Sequence, residues 1–118
     1  MILLVDDDAV FLRRAEHVLD DSDDSILFAS TVADAIGLLK AIQFSIALVD
    51  LDLPDRSGFD LIQEIHRTRP AMPIVAISGV CSRAALESAR EFGAQETLRK
   101  PATSEWAKTI QRLRLCAS

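Results

Sequence analysis

Apolar residues along this chain alternate between two rhythms. Ile2-Leu3-Leu4-Val5 is a continuous apolar run, which reads as a strand buried on both faces, as in a parallel sheet covered by helices. It ends in Asp6-Asp7-Asp8. Phe11, Ala15, Val18 and Leu19 then recur at the spacing of one helix face, with Asp8 placed to cap that helix. Asp20 to Asp24 reads as an acidic turn. Ile26-Leu27-Phe28-Ala29 is a second short strand. Thr31 with Asp34 resembles a capping box and opens a helix carrying Ala35, Leu38, Leu39 and Ile42. Gly37 within it costs about 1 kcal/mol relative to alanine, so it marks either a close contact or nothing.

Ile46 to Val49 is the third strand, and Phe59, Ile62 and Ile65 carry a helix that must stop before Pro70. Pro73 opens a fourth strand, Ile74 to Ile77, ending at Ser78-Gly79. Ala85, Leu86, Ala89 and Phe92 mark the next helix, with Gly93 just past its end. Thr97-Leu98-Arg99 is a weak fifth strand ending at Lys100-Pro101. Thr103 can cap a last helix bearing Trp106, Ile110 and Leu113. Strand and helix patterns thus alternate five times with short connections, which predicts α/β architecture around a parallel sheet with helices on both faces. No Gly/Ser-rich linker or repeat interrupts the pattern. The expectation is one domain over residues 1–118, with no output domain.

Composition narrows the function. At 118 residues, 49% of them hydrophobic, the chain can bury a core. No apolar run approaches the roughly 18 residues of a membrane span. The first residues lack the basic segment of a secretory signal, so a cytoplasmic protein is expected. A net charge of −5 argues against direct nucleic-acid binding, which needs a basic face. Cys81 and Cys116 fit neither a CxxC motif nor zinc spacing, and both read as free thiols.

The chemistry sits where strands end. The first strand delivers Asp6 and Asp7, the third Asp50, the fourth Ser78 and the fifth Lys100. In a parallel sheet these ends share one edge, where ligands bind. Two carboxylates at about 4 Å repel by roughly 4 kcal/mol at an effective dielectric near 20. Protonation or a bound cation relieves such a cluster. A hard, oxygen-liking ion such as Mg²⁺ suits carboxylates, and no sulfur or paired histidine favours zinc. A cation beside a carboxylate, a lysine and a hydroxyl describes a phosphoryl site. Asp50 would be the attacking oxygen, with Lys100, the Ser78 hydroxyl and the Gly79 backbone N–H contacting phosphoryl oxygens.

From Met1 to about Leu115 the sequence resembles the receiver domain of two-component response regulators. The resemblance rests on Ile2-Leu3-Leu4-Val5-Asp6-Asp7, on Leu48-Val49-Asp50-Leu51-Asp52-Leu53-Pro54 with Gly58, on Ile77-Ser78-Gly79, and on Gly93-Ala94 followed by Leu98-Arg99-Lys100-Pro101. Each stretch alone is weak; all four in this order are specific. The resemblance implies a flavodoxin-like doubly wound fold, a three-layer sandwich with strand order 2-1-3-4-5. It implies that Asp50 accepts a phosphoryl group from a histidine-kinase phosphohistidine or a small acyl phosphate. Asp7 matches a direct Mg²⁺ ligand, Asp6 an outer-shell one, and the Asp52 backbone carbonyl a third protein ligand. Ser78 matches the switch hydroxyl, Lys100 the phosphate-contacting lysine, and the Lys100–Pro101 bond a cis peptide. Implied partners are a sensor histidine kinase or phosphotransfer protein and a downstream protein target, with a homodimer among the options.

The sequence departs from that pattern at Thr97, where the family usually has an aromatic switch residue. The chain has no tyrosine at all. Ala102 replaces the usual aromatic after Lys-Pro, and Gly79 stands where alanine is commoner. These changes leave the phosphoryl chemistry intact and put the aromatic readout in question. Two other readings compete. Val49-Asp50-Leu51-Asp52 looks like the DxD motif of haloacid-dehalogenase-like phosphatases, but those enzymes place DxD on their first strand. A receiver-shaped binding module that is never phosphorylated is the other. Asp52 and Asp55 read as solvated loop acids, apart from a possible tuning of phosphoryl lifetime by Asp52. His17 and His66 read as structural.

Overall fold

The structure is a computed structural model that describes residues 1–19, 25–79, 83–100 and 102–117. The acidic turn at Asp20 to Asp24, Cys81 and Pro101 with its expected cis bond lie outside the described residues, as does the Cys116 side chain. Ten elements alternate in the described residues: β1 (Ile2–Val5), α1 (Ala9–Val18), β2 (Ile26–Ala29), α2 (Val32–Ala41), β3 (Ile46–Asp50), α3 (Gly58–Thr68), β4 (Ile74–Ser78), α4 (Arg83–Phe92), β5 (Glu96–Arg99) and α5 (Ser104–Ala117). The strands form one parallel sheet in the order β2-β1-β3-β4-β5.

Alternation along each strand divides the core into two layers. Leu3, Val5, Ala47, Val49, Ile74 and Ala76 face α2, α3 and α4, where they meet Ala35, Leu39, Leu61, Ile62, Ile65 and Ala89. Ile2, Leu4, Ile46, Leu48, Val75 and Ile77 face α1 and α5, where they meet Phe11, Ala15, Trp106 and Ile110. Every residue of β1, β3 and β4 is buried, which is why these strands read as unbroken apolar runs. β2 and β5 are the sheet's outer strands and are mostly half-exposed.

Helix starts follow the expected chemistry. The Asp8 carboxylate accepts from the Val10 and Phe11 N–H groups, and the Thr31 hydroxyl accepts from Asp34 N–H. Gly93 ends α4 at φ 126°, the left-handed conformation that glycine adopts at no steric cost. A Cβ there would also meet the His66 side chain at 2.7 Å. Gly37 makes no close contact: an added Cβ finds nothing within 4 Å.

Asp55 departs from its expected role. Its two carboxylate oxygens accept from Val32 N–H at 2.9 Å and Ala33 N–H at 3.1 Å. The loop after β3 is therefore tied to the first turn of α2, where the helix dipole favours a negative charge. These hydrogen bonds, that to Val32 foremost, hold the Asp55 carboxyl below its ordinary pKa.

Candidate functional site: an acidic pocket at the strand tips

Register brings the charged residues together. Val5 pairs with Val49, so the next residues, Asp6 and Asp50, lie side by side at the sheet edge. Both continue the alternation of the α1/α5-facing layer. On the far side of β4, Ser78 pairs with Arg99, and Lys100 N–H donates to Ser78 O at 2.9 Å. Lys100 thus extends from the end of β5 toward the same place. The order of the strands reverses direction between β1 and β3, the switch point where doubly wound sheets bind ligands.

Asp6 is fully buried and Asp50 is 3% exposed, whereas Asp7 faces solvent. One oxygen from each of the three lies within 4.8 Å of the others. Asp6 Oδ1 accepts from Asp8 N–H at 2.9 Å. Asp6 Oδ2 is buried without an aligned hydrogen-bond donor and is met by Lys100 Nζ at 2.6 Å as an ion pair. Asp50 Oδ1 accepts from Asp52 N–H at 3.2 Å, and Lys100 Nζ donates to Asp50 Oδ2 at 3.4 Å. One ammonium therefore serves two buried carboxylates.

The electrostatics record the imbalance. Burial pushes the Asp50 carboxyl up from 3.8 to about 6; the Asp52 N–H opposes this, the Asp6 charge adds to it and Lys100 opposes it. For Lys100 burial works against the charged form, but the carboxylates of Asp6 and Asp50 outweigh it and leave the ammonium above its ordinary pKa. Raising the pKa of a buried acid means that its charge is short of compensation.

The remaining sequence-derived positions lie on or beside β4 and β5 and in the loop after β3. Ser78 is 2% exposed at the end of β4. Gly79 is exposed, and an added Cβ would meet only Lys100 Cδ, at 3.5 Å, so glycine is not sterically required there. Asp52 is exposed, and its backbone contributes a donor to Asp50. Thr97 is half-buried on β5 and pairs with Ala76, on the sheet face opposite Asp50. Gly58 closes the loop: its N–H donates to Leu51 O at 3.1 Å, and a Cβ there would lie 2.0 Å from Asp50 O. The loop that follows the acid can approach β3 this closely only because residue 58 has no side chain.

Three contributors escaped sequence reasoning. Asp55 anchors the loop as described. Phe11 lies under the Lys100 ammonium, whose Nζ is 4.5 Å from the ring centroid. Arg14 Nε donates to Ala102 O at 3.1 Å, tying α1 to the segment after Lys100. A cavity of about 470 Å³ lined by Phe44, Arg69, Met72 and Pro73 lies at the other end of the sheet, before β3 and β4 begin, and no carboxylate among the described residues lines it.

A five-stranded doubly wound sheet with an acidic pocket and a lysine at its switch point defines a flavodoxin-like α/β module. The chain belongs to the response regulator receiver domain family, whose model matches residues 2–111. It is similar to the acid tolerance regulatory protein ActR of Rhizobium meliloti (strain 1021), with 34% identity over 113 residues, which are 94% of this chain and 58% of ActR. It is also similar to the photosynthetic apparatus regulatory protein RegA of Rhodovulum sulfidophilum, with 35% identity over 101 residues, 86% of this chain and 55% of RegA. The chain thus spans little more than half the length of these relatives. A CheY-like response regulator receiver domain protein from Methanospirillum hungatei JF-1 matches with a TM-score of 0.90 at 26% identity, covering 98% of this chain and 94% of that one. The receiver domain of NtrX from Brucella abortus matches in fold, with a TM-score of 0.90 at 24% identity and full coverage of both chains. These matches favour the receiver reading over the phosphatase alternative. No helix among the described residues is long and apolar enough to cross a membrane.

Proposed function

We propose that residues 1–118 work as one phosphoacceptor unit in which Asp50 receives a phosphoryl group. The observation that supports this most directly is the buried Asp6–Asp50 pair sharing the Lys100 ammonium at 2.6 and 3.4 Å. A divalent cation suits the pocket on its own chemistry: three carboxylates offer oxygens within 4.8 Å of one another, and the two buried ones share the single ammonium of Lys100. Asp6, Asp7 and Asp50, with the Asp52 carbonyl, would hold Mg²⁺. When bound, Mg²⁺ would neutralise charge on the phosphoryl oxygens.

The chain's own groups then divide the work. A carboxylate oxygen of Asp50 attacks phosphorus as the bond from phosphorus to the donor breaks, and the donor's imidazole or carboxylate leaves. Lys100 supplies positive charge to the transferring oxygens, and Ser78 and Gly79 at the end of β4 supply hydrogen-bond donors. Attack requires ionised Asp50, a form that burial disfavours in the cation-free pocket and that a bound dication would favour. Lys100, whose ammonium already contacts Asp50, is positioned to follow the new charge. The stored phosphoryl group biases a two-state equilibrium and so switches contacts with other proteins. The donor would be a sensor histidine kinase or a phosphotransfer protein, and the receiver would act on a protein target. Release of the phosphoryl group to water would return the module to its starting state.

Intact-mass spectrometry after incubation with acetyl phosphate and Mg²⁺ tests this reading. One added phosphoryl group is expected on the wild type, and none without Mg²⁺ or in Asp50→Asn. If no adduct is trapped, Mg²⁺-dependent binding of beryllofluoride separates rapid hydrolysis from an inactive site; no binding would refute the phosphoacceptor role.

A further inference from the structure

The Lys100 ammonium has two kinds of partner, and only one kind is a carboxylate. Leu98 packs into the α1/α5 layer, and Lys100, two residues on along the strand, emerges on the same side. Its Nζ lies 2.6 Å from Asp6 Oδ2, 3.4 Å from Asp50 Oδ2 and 4.5 Å from the centroid of the Phe11 ring. That ring is not free to drift. Phe11 is 5% exposed and packs at 5.5 Å and 57° against Trp106, itself 2% exposed. The Arg14–Ala102 hydrogen bond fastens α1 beside it.

A divalent cation drawn to Asp6 and Asp7 would compete with Lys100 for the charge of the Asp6 carboxylate. The lysine stem is flexible, and an ammonium that loses a 2.6 Å partner has much freedom to regain. A hard cation takes oxygen ligands, so it does not compete for an aromatic face. The face of a phenylalanine attracts an ammonium through its quadrupole, and the attraction strengthens where water is excluded.

We infer that Phe11 is a positioning residue for the reaction: its ring face keeps the Lys100 ammonium beside Asp50 once the divalent cation has claimed Asp6. This rests on the phosphoacceptor reading above. Phe11 touches neither the phosphoryl group nor the cation; it acts through Lys100. A Phe11 that merely filled space would be indifferent to the electron density of its ring.

The test replaces Phe11 with 4-fluoro-, 3,5-difluoro- and 3,4,5-trifluorophenylalanine by site-specific incorporation, which weakens the quadrupole with little change in shape. At saturating Mg²⁺ the rate of phosphorylation by acetyl phosphate should fall stepwise, by about fivefold across the series. Mg²⁺ affinity and the urea midpoint should stay constant. NMR supplies the readout that does not need turnover. The ε-methylene protons of Lys100 should carry an upfield ring-current shift that persists when Mg²⁺ binds and disappears in Phe11→Leu. A flat rate series, or a ring shift abolished by Mg²⁺, overturns the inference. So does Mg²⁺ that leaves the Asp6 carboxyl signal unmoved, because Lys100 would then never need a second hold. A wild type that takes up no phosphoryl group defeats the phosphoacceptor reading instead, and the ring shift in the Mg²⁺ form still decides the contact.

Discussion

β3 and β5 flank β4 in the same sheet and are built from opposite materials. All five residues of β3, Ile46 to Asp50, are buried, and the strand is gripped by both core layers. β5 reads Glu96-Thr97-Leu98-Arg99, half-buried at best. Its polar side is held by ion pairs: Glu96 accepts from Arg90 at 3.3 Å and Arg112 at 2.8 Å, and those arginine side chains are 51% and 59% exposed. Asp50, the proposed acceptor, thus comes off a strand fixed by packing, where displacement would open cavities. The lysine comes off a strand that packing restrains less. Its head must be located at the tip, by Asp6, Asp50 and Phe11. Placement by the scaffold would suit the proposed phosphoryl acceptor; placement by partners would suit a lysine that exchanges one carboxylate for another.

The contrast can be broken most severely at Gly58. Gly58→Ala drives a Cβ to within 2.0 Å of Asp50 O and 2.7 Å of Leu51 Cα, both backbone atoms that cannot swing aside. A loss of about 3 kcal/mol or more is expected in urea denaturation, as for severe overpacking. A paired truncation sharpens the comparison. Leu48→Ala in β3 should cost about 3 kcal/mol, and Leu98→Ala in β5 about half of that, since Leu98 is already partly solvated. Equal losses in the same denaturation assay would mean that β5 is as tightly packed as β3.

The charge at the tip of β3 gives a smaller effect with a definite sign. The Asp50 carboxyl is raised from 3.8 to about 6 in the folded state, chiefly by burial. Its protonated form therefore contributes stability that is fully present below about pH 4 and lost as pH rises through 6. Asp50→Asn has no such charge to lose. Without divalent cations it should exceed the wild type by on the order of 1 kcal/mol at pH 8, and the gap should close toward pH 4. Thermal or urea unfolding in chelator at several pH values measures it; a constant gap would mean the substitution acts through packing. The smallest effect belongs to β5. Glu96→Gln removes two exposed ion pairs and should cost less than about 1 kcal/mol, with the difference from wild type shrinking as salt is added.

The parts of the molecule legible from sequence are those set by local periodicity. The runs ending at Val5, Val49 and Ile77 are apolar throughout because both faces of those strands are covered, and this placed Asp6, Asp50 and Ser78 at one edge. Strand order came from family resemblance, and the hydrogen-bonded register bears it out. What stayed hidden depends on how distant loops meet. Nothing local to Asp55 tells that its carboxylate reaches Val32 and Ala33; composition alone made it a solvated acid. Phe11 announced itself only as one more apolar position on a helix face, because periodicity shows that a ring points inward and not what lies against it. At Gly37, where the sequence left open a close contact or nothing, the structure decides for nothing, since an added Cβ finds no atom within 4 Å.

The long interval in the chain between Asp50 and Lys100 has a consequence for biosynthesis. Asp6 and Asp50 are neighbours through β1 and β3, whereas the ammonium they share is encoded only after β5. At about 5 to 20 residues per second, roughly 3 to 10 s separate the two events. During that interval a nascent chain that pairs β1 with β3 places two acids together with no lysine to join them. Intracellular divalent cations, or protons, are the counter-charge then at hand. The later synthesis of Lys100 ties the addition of β5 to the arrival of the ammonium that both acids share.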